Sequence, residues 1–159
     1  YKRADIIIIT KCPNDLTDDK MIGIRKVINL KNYQTLFFTS IKYNNELLGK
    51  SNIEIGDLKN SKVLLVTGIA DDKVIIDYLE SKNIEFDKIS FSDHYNYTFK
   101  DIQKIESEFN DRVIITTEKD YQKIQSIKRK NKWYYLQMEI DFLKEEESFK
   151  ILVKETLSR

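Results

Sequence analysis

The single histidine of this 159-residue chain, His94, stands in SFSDHYNYTF (residues 90–99), directly behind Asp93 and among aromatic residues. Histidine exchanges protons near neutral pH, and a carboxylate beside it fixes its tautomer and stabilises its charged form. A structural histidine at a strand end reads the same way locally, so this stretch leaves a catalytic and an ordinary role open. One histidine and one cysteine, Cys12, cannot make a zinc site, and no nucleophile triad is available.

Three other segments carry polar residues where an apolar run ends. RADIIIITKCP (3–13) runs into Thr10 and Lys11, and a lysine stem there can pack on a planar base while its ammonium stays wet. VTGIADDK (66–73) offers Gly68, Ile69 and Ala70, then Asp71 and Asp72 at the start of a helix. Exposed N–H groups there could hold an oxyanion, or the two aspartates could cap the helix. ITTEKD (115–120) offers Thr117, Glu118, Lys119 and Asp120. Thr117 and Asp120 form a capping pattern, whereas Lys119 is a cation where the helix dipole prefers an anion, which points to a bound anion or an internal ion pair. Each segment has a bland reading as strand-exit chemistry. Together with His94 they make a candidate site floor, because open α/β sheets bind ligands beyond the carboxyl ends of their strands.

Two further motifs point elsewhere. ELLGKS (46–51) has the GK[ST] end of a phosphate-binding loop, but Asn44 stands where the first glycine belongs and NIEIGD follows instead of a helix start. No G-x-G-x-x-G occurs. KRKNKWYY (128–135) mixes cations and aromatics, as nucleic-acid and acidic-membrane surfaces do, and reads equally as a solvated helix end entering a half-buried strand.

The elements that must position these residues follow from periodicity. Apolar, β-branched or aromatic runs at 5–10, 35–43, 62–68, 86–92, 112–117 and 132–138 predict strands. Amphipathic stretches at 17–31, 72–82, 98–109, 118–130 and 145–157 predict helices. In the first helix Met21, Ile24, Val27 and Ile28 form the apolar face, and in the fourth the IKRK run complements the dipole at the C-terminal end. Several strands are apolar throughout, which implies burial on both faces. The expected fold class is α/β, a three-layer sandwich with a mostly parallel sheet and helices on both faces. Residues 1–159 are expected to form one domain, with a hairpin-like excursion at 44–61.

Composition narrows the classes. Hydrophobic residues are 41%, and 27 basic against 26 acidic residues leave a net charge of +1, so neither a polyanion binder nor an acidic tail is indicated. One cysteine forms no internal disulfide and suits a reducing compartment. No apolar run approaches the roughly 20 residues that span a bilayer. The chain opens YKRADIIIIT without methionine and enters a strand within five residues, which reads as a fragment cut from a longer protein.

Taken in order, RADIIIITKCP, LLVTGIA, SFSDHYNYTFKDI and VIITTEKD resemble the carboxyl-terminal half of the tetraacyldisaccharide 4'-kinase family, the lipid A 4'-kinases of Gram-negative bacteria. The resemblance runs from the first residues to about Tyr121. It implies a P-loop kinase-like fold without the P-loop half. It also implies transfer of the γ-phosphate of ATP, with Mg2+, to the 4'-hydroxyl of a tetraacyl glucosamine disaccharide 1-phosphate in lipid A (lipopolysaccharide) biosynthesis. The family works peripherally at the cytoplasmic face of the inner membrane. Its phosphate-binding loop, Mg2+-binding carboxylates and membrane-associating helix precede the point where this chain starts. ATP and Mg2+ are therefore expected mainly on an absent amino-terminal lobe, and the fragment alone is expected to be inactive.

The implied partners are that lobe, the lipid A precursor disaccharide and the membrane, with no nucleic acid. The family's Asp-His motif falls on Asp93 and His94, and the resemblance implies that His94 pairs with a carboxylate from the missing lobe to deprotonate the acceptor hydroxyl. It also implies nucleotide or substrate binding by Thr10, Lys11, Gly68, Ile69, Ala70, Thr117, Glu118, Lys119 and Asp120, and it assigns no metal ligand. Two positions depart from the family: Tyr95 where many relatives have a second histidine, and Asp71-Asp72 where many have Asn-Pro. The alternative is a non-catalytic α/β module that binds nucleic acid or acidic lipid through residues 128–135.

Overall fold

The structure, a computed structural model, describes residues 2–158. It is an α/β fold with a mostly parallel sheet and helices on both faces. The chain divides into two compact units, one running to Lys42 and resuming at Glu139, the other spanning Tyr43–Met138. Two long strands, β2 (Thr35–Leu48) and β7 (Trp133–Phe142), contribute to both. Among the described residues no helix is long and apolar enough to cross a membrane.

In the first unit β1 (Ile6–Ile9) pairs in parallel with β2, Ile6 opposite Thr35 and Ile9 opposite Phe38. Helix α1 (Asp18–Ile28) buries Met21 against Cys12, Leu36 and Phe38, while Val27 is 85% exposed and takes no part in the expected apolar face. The helix stops where Asn29 turns left-handed at φ 51°, a conformation asparagine tolerates. β1 is half-buried rather than buried on both faces, because it ends the strand order and leaves Ile8 41% exposed. Helix α5 (Glu146–Leu157) follows β7, with Phe149 edge-on to Phe37.

The second unit holds β3 (Ile53–Glu54), β4 (Val63–Thr67), β5 (Phe86–Ser90) and β6 (Val113–Thr117), in the order β3-β2-β7-β6-β4-β5. β4 pairs in parallel with β5 and β6, and β6 in parallel with β7. Alternation along β4 explains the layers. Val63 and Leu65 pack with Ile75 and Leu79 of helix α2 (Lys73–Ser81), whereas Leu64 and Val66 pack with Ile102 and Ile105 of helix α3 (Phe99–Glu108) and Ile124 of helix α4 (Glu118–Ile124). Successive strand residues point to opposite faces, so only a strand apolar throughout can serve both layers. β5 ends the order and reads FDKIS, with its charges exposed.

Two element bounds need correction. β2 runs on to Leu48 rather than ending at 43 and pairs antiparallel with β3, which makes ELLGKS the turn of a hairpin within the expected 44–61 excursion; its Gly49 N–H bonds Asn52 Oδ1 at 3.3 Å. Helix α4 ends at Ile124, not 130. The Ile124 carbonyl is taken by the Ile127 N–H at 2.9 Å and by Arg129 Nη1 at 2.9 Å, and the N–H groups of Lys130 and Asn131 go to the buried Glu106 carboxylate. The basic run therefore lies on a loop and complements no helix dipole.

Candidate functional site

Three parallel strands of the second unit, β5, β4 and β6 in spatial order, end together, with Thr67 opposite Ser90 and Val66 opposite Thr116. Their exits carry three of the four polar segments that the sequence singles out. The fourth, Thr10 and Lys11, is exposed at the carboxyl end of β1 in the other unit.

The corner between β4 and β6 is built around Asp120, which is fully buried. Its Oδ2 accepts the Gly68 N–H at 2.8 Å and the Thr117 hydroxyl at 2.8 Å, and its Oδ1 takes Lys123 Nζ at 3.3 Å. Thr117 in turn caps α4 by accepting the Asp120 N–H at 3.1 Å. A Cβ at position 68 would lie 2.8 Å from the Tyr97 hydroxyl and 3.0 Å from Asp120 Oδ1, so glycine is required by close approach rather than by its dihedral freedom. The Gly68 N–H is thus committed inside the fold and cannot serve an oxyanion. Ile69 is half-buried and Ala70 exposed beyond it, and Glu118 is half-buried in the first turn of α4.

The acidic pair after β4 is also partly spent internally. Asp72 accepts from the Thr67 hydroxyl at 2.8 Å, from Lys88 Nζ at 3.1 Å and from Ser90 at 3.4 Å. Partial burial raises its carboxyl, but these donors outweigh burial and hold it below the usual carboxylate range. Asp71 accepts the Lys73 N–H at 3.0 Å at the start of α2. The negative charge of Asp72 is thereby matched by Lys88.

His94 sits on the loop after β5. Phe91 continues the strand's pairing through an N–H bond of 2.7 Å to the Thr67 carbonyl. The rings of Phe91, Tyr95 and Tyr97 pack with centroids 4.5–5.3 Å apart, and Lys123 Nζ bonds the Tyr95 carbonyl at 3.0 Å. A capping box between Thr98 and Asp101 starts α3 directly behind. Anchored at both ends, the loop turns outward at Asp93 and His94, and the His94 side chain is 77% exposed. Tyr95 belongs to this aromatic cluster, and its hydroxyl donates to Asp101 Oδ2 at 3.3 Å.

Asp93 is the hub. Its Oδ1 accepts the His94 N–H at 2.9 Å and Lys119 Nζ at 3.0 Å, and its Oδ2 lies 3.5 Å from His94 Nε2. The Lys119 ammonium, followed by the His94 N–H, holds the Asp93 carboxyl below the usual carboxylate range. The question that Lys119 raises in the sequence is answered by an ion pair to Asp93. His94 has φ 60° and Lys11 φ 58°. Among the described residues the other non-glycine positive φ values are at Asn29, Asn83 and Glu145, which flank helix ends. His94 and Lys11 lack that excuse, and strain of this kind concentrates at functional sites.

Sequence reasoning missed Lys88, Ser90 and Lys123. The spacing of Lys123 three residues after Asp120 is a readable helix-face signal; Lys88 and Ser90 reach Asp72 only through the pairing of β4 with β5. Among the described residues no group of three or more His, Cys, Asp and Glu converges as a metal site.

A family model described as tetraacyldisaccharide-1-P 4'-kinase matches residues 1–158. A tetraacyldisaccharide 4'-kinase of Flavobacterium johnsoniae is 36% identical over 152 residues, 95% of this chain and 44% of that protein. One from Bacteroides thetaiotaomicron is 37% identical over 134 residues, 74% of this chain and 35% of that protein. The chain thus spans less than half the length of these curated relatives. A crystal structure of LpxK from Aquifex aeolicus in complex with ATP shares the fold, with a TM-score of 0.56 and 19% identity over 96% of this chain and 53% of that one.

Proposed function

The chain belongs to the tetraacyldisaccharide-1-P 4'-kinase family, and from that membership we propose that it is the carboxyl-terminal lobe of a lipid A 4'-kinase. The whole enzyme moves the γ-phosphoryl group of ATP to the 4'-hydroxyl of a tetraacyl glucosamine disaccharide 1-phosphate. It works peripherally at the cytoplasmic face of the inner membrane.

The observation that carries this reading is the Lys119–Asp93–His94 chain at the joined strand ends, with an exposed imidazole held in a left-handed backbone. In phosphoryl transfer, positioning and charge stabilisation contribute most of the catalysis. ATP, when bound, supplies the phosphoryl group, and an amino-terminal lobe holds its phosphates. Lys119 fixes Asp93, and Asp93 orients the imidazole through Nε2. Nδ1 is then left to accept the acceptor hydroxyl's proton, directly or through a carboxylate of the other lobe. Ile69, Ala70, Glu118 and Lys119 border the substrate, and Asp120, Gly68 and Thr117 shape that border from inside; in the first unit, Thr10 and Lys11 bind nucleotide or substrate. This reading places Mg2+ with the other lobe, and no step here runs through it.

Replacing His94 with alanine in the full-length enzyme tests this. Turnover should fall by about 10²–10⁴-fold, far out of proportion to any loss of stability, and unchanged turnover would remove His94 from the mechanism.

A further inference from the structure

We propose that the loop at residues 128–132 docks the enzyme onto an anionic lipid surface. This rests on the reading of the chain as part of an enzyme with a lipid substrate, and it assigns the contact to a surface away from His94.

The loop is built rather than loose. Glu106, 7% exposed, accepts the Lys130 N–H at 2.9 Å, the Asn131 N–H at 2.9 Å and Trp133 Nε1 at 3.0 Å. The Asn131 side chain donates to the Phe109 carbonyl at 2.9 Å. With its backbone and acid turned inward, the loop presents its cations outward. Among the described residues the side chains of Lys50, Lys128, Lys130 and Lys132 make no hydrogen bond or ion pair. Three of them, Lys128, Lys130 and Lys132, fall within five residues of a chain whose net charge is +1. Lys50, Lys130 and Lys132, with Arg129 and Tyr121, border a cavity of about 140 Å³.

The aromatic content that made KRKNKWYY resemble a nucleic-acid surface is consumed inside the fold. Trp133 is buried and bonded to Glu106, and Tyr134 is 3% exposed. The ring of Tyr121 packs with Arg129, 4.9 Å from its centroid, and with Tyr135, 4.7 Å away. Single-stranded nucleic acid needs open ring faces for base stacking, and Trp133 and Tyr134 offer none. What remains is a compact set of lysines, which is the chemistry that anionic headgroups recognise.

The test compares sedimentation of the full-length protein with vesicles of phosphatidylcholine alone and of phosphatidylcholine mixed with phosphatidylglycerol. Each lysine near such a surface contributes about 5-fold in binding, so Lys128→Gln, Lys130→Gln and Lys132→Gln together should cut the preference for mixed vesicles by on the order of 100-fold. Replacing the same three with arginine should retain it, and raised salt should erase it. Turnover on detergent-dispersed substrate should stay unchanged in both variants. An unaltered vesicle preference in the glutamine variant overturns the proposal. Tighter binding to a duplex oligonucleotide than to mixed vesicles also overturns it, in favour of nucleic acid. If the wild-type protein shows no kinase turnover in detergent, the kinase reading fails, while the vesicle comparison still decides the docking.

Discussion

Asp120, with none of its surface exposed, accepts the backbone N–H of Gly68 at 2.8 Å across 52 residues of sequence. That bond joins the exit of β4 to the corner between β6 and α4, so the candidate site stands on a buried carboxylate. Asp120→Ala would strand the Gly68 N–H and leave the Lys123 ammonium with the Tyr95 carbonyl alone, and should cost about 3 kcal/mol. Asp120→Asn keeps one acceptor and should cost less. Chemical denaturation with an unchanged slope would give both values, and equal stability of the alanine variant and the wild type would refute the joint.

Gly68→Ala tests the same corner from the other side. The added methyl would meet the Tyr97 hydroxyl at 2.8 Å, and that hydroxyl is itself buried without a hydrogen-bond partner. The φ of Gly68 lies outside the left-handed region, so the cost is steric, about 1–3 kcal/mol of overpacking. A thermal-melting shift should report it, and no shift would mean that the corner gives way freely.

The ion pair between Lys119 and Asp93 has a pH signature. Because the folded-state carboxyl is depressed, the fold binds this proton more weakly than the unfolded chain does. The pair's contribution is therefore complete above the ordinary carboxylate value of about 3.9 and lost as pH falls through the lower folded value. It is constant near neutrality. In Lys119→Gln the Asp93 carboxyl should titrate higher, back toward the ordinary range, as followed by carbon NMR of the labelled side chain. An unmoved titration would show that Lys119 does not hold it.

The left-handed backbone at His94 separates conformation from chemistry. Asparagine tolerates φ near 60° better than alanine does, so His94→Asn should keep wild-type stability while His94→Ala loses about 1 kcal/mol. Turnover of the full-length enzyme should collapse in both. Retained turnover in the asparagine variant would show that the turn, not the imidazole, is what the site needs.

Legibility in the sequence follows the range of the interactions. β4 and β6 read cleanly because VLLVT and VIITT serve two apolar layers at once, and the cap from Thr117 to Asp120 spans three residues. Lys119 is readable only as an anomaly, since Asp93, its partner, lies 26 residues earlier on another strand exit. The end of α4 is hidden for the same reason. Periodicity carries a helix through the IKRK run, and Glu106, brought close only by packing, captures the N–H groups that continuing would have needed. The bond from Asp120 to Gly68 turns the small residues after β4 from an apparent anion cradle into a supported wall.

Glu106 can be examined directly through the only tryptophan in the chain, Trp133, whose Nε1 it accepts at 3.0 Å. The Lys130 N–H, the Asn131 N–H and Trp133 Nε1 all reach Oε1, while Oε2 accepts only a second, 3.0 Å contact from the Lys130 N–H. Glu106→Gln therefore sets its amide N–H₂ against the Lys130 N–H and removes the charge from the remaining bonds, at a cost of about 1–3 kcal/mol. Trp133 emission should move to the red as water enters around the indole, and amide hydrogen exchange at 130 and 131 should speed up in step. Unchanged emission with unchanged exchange would mean that the loop is ordered by its other contacts, and that the buried carboxylate contributes nothing to presenting its lysines.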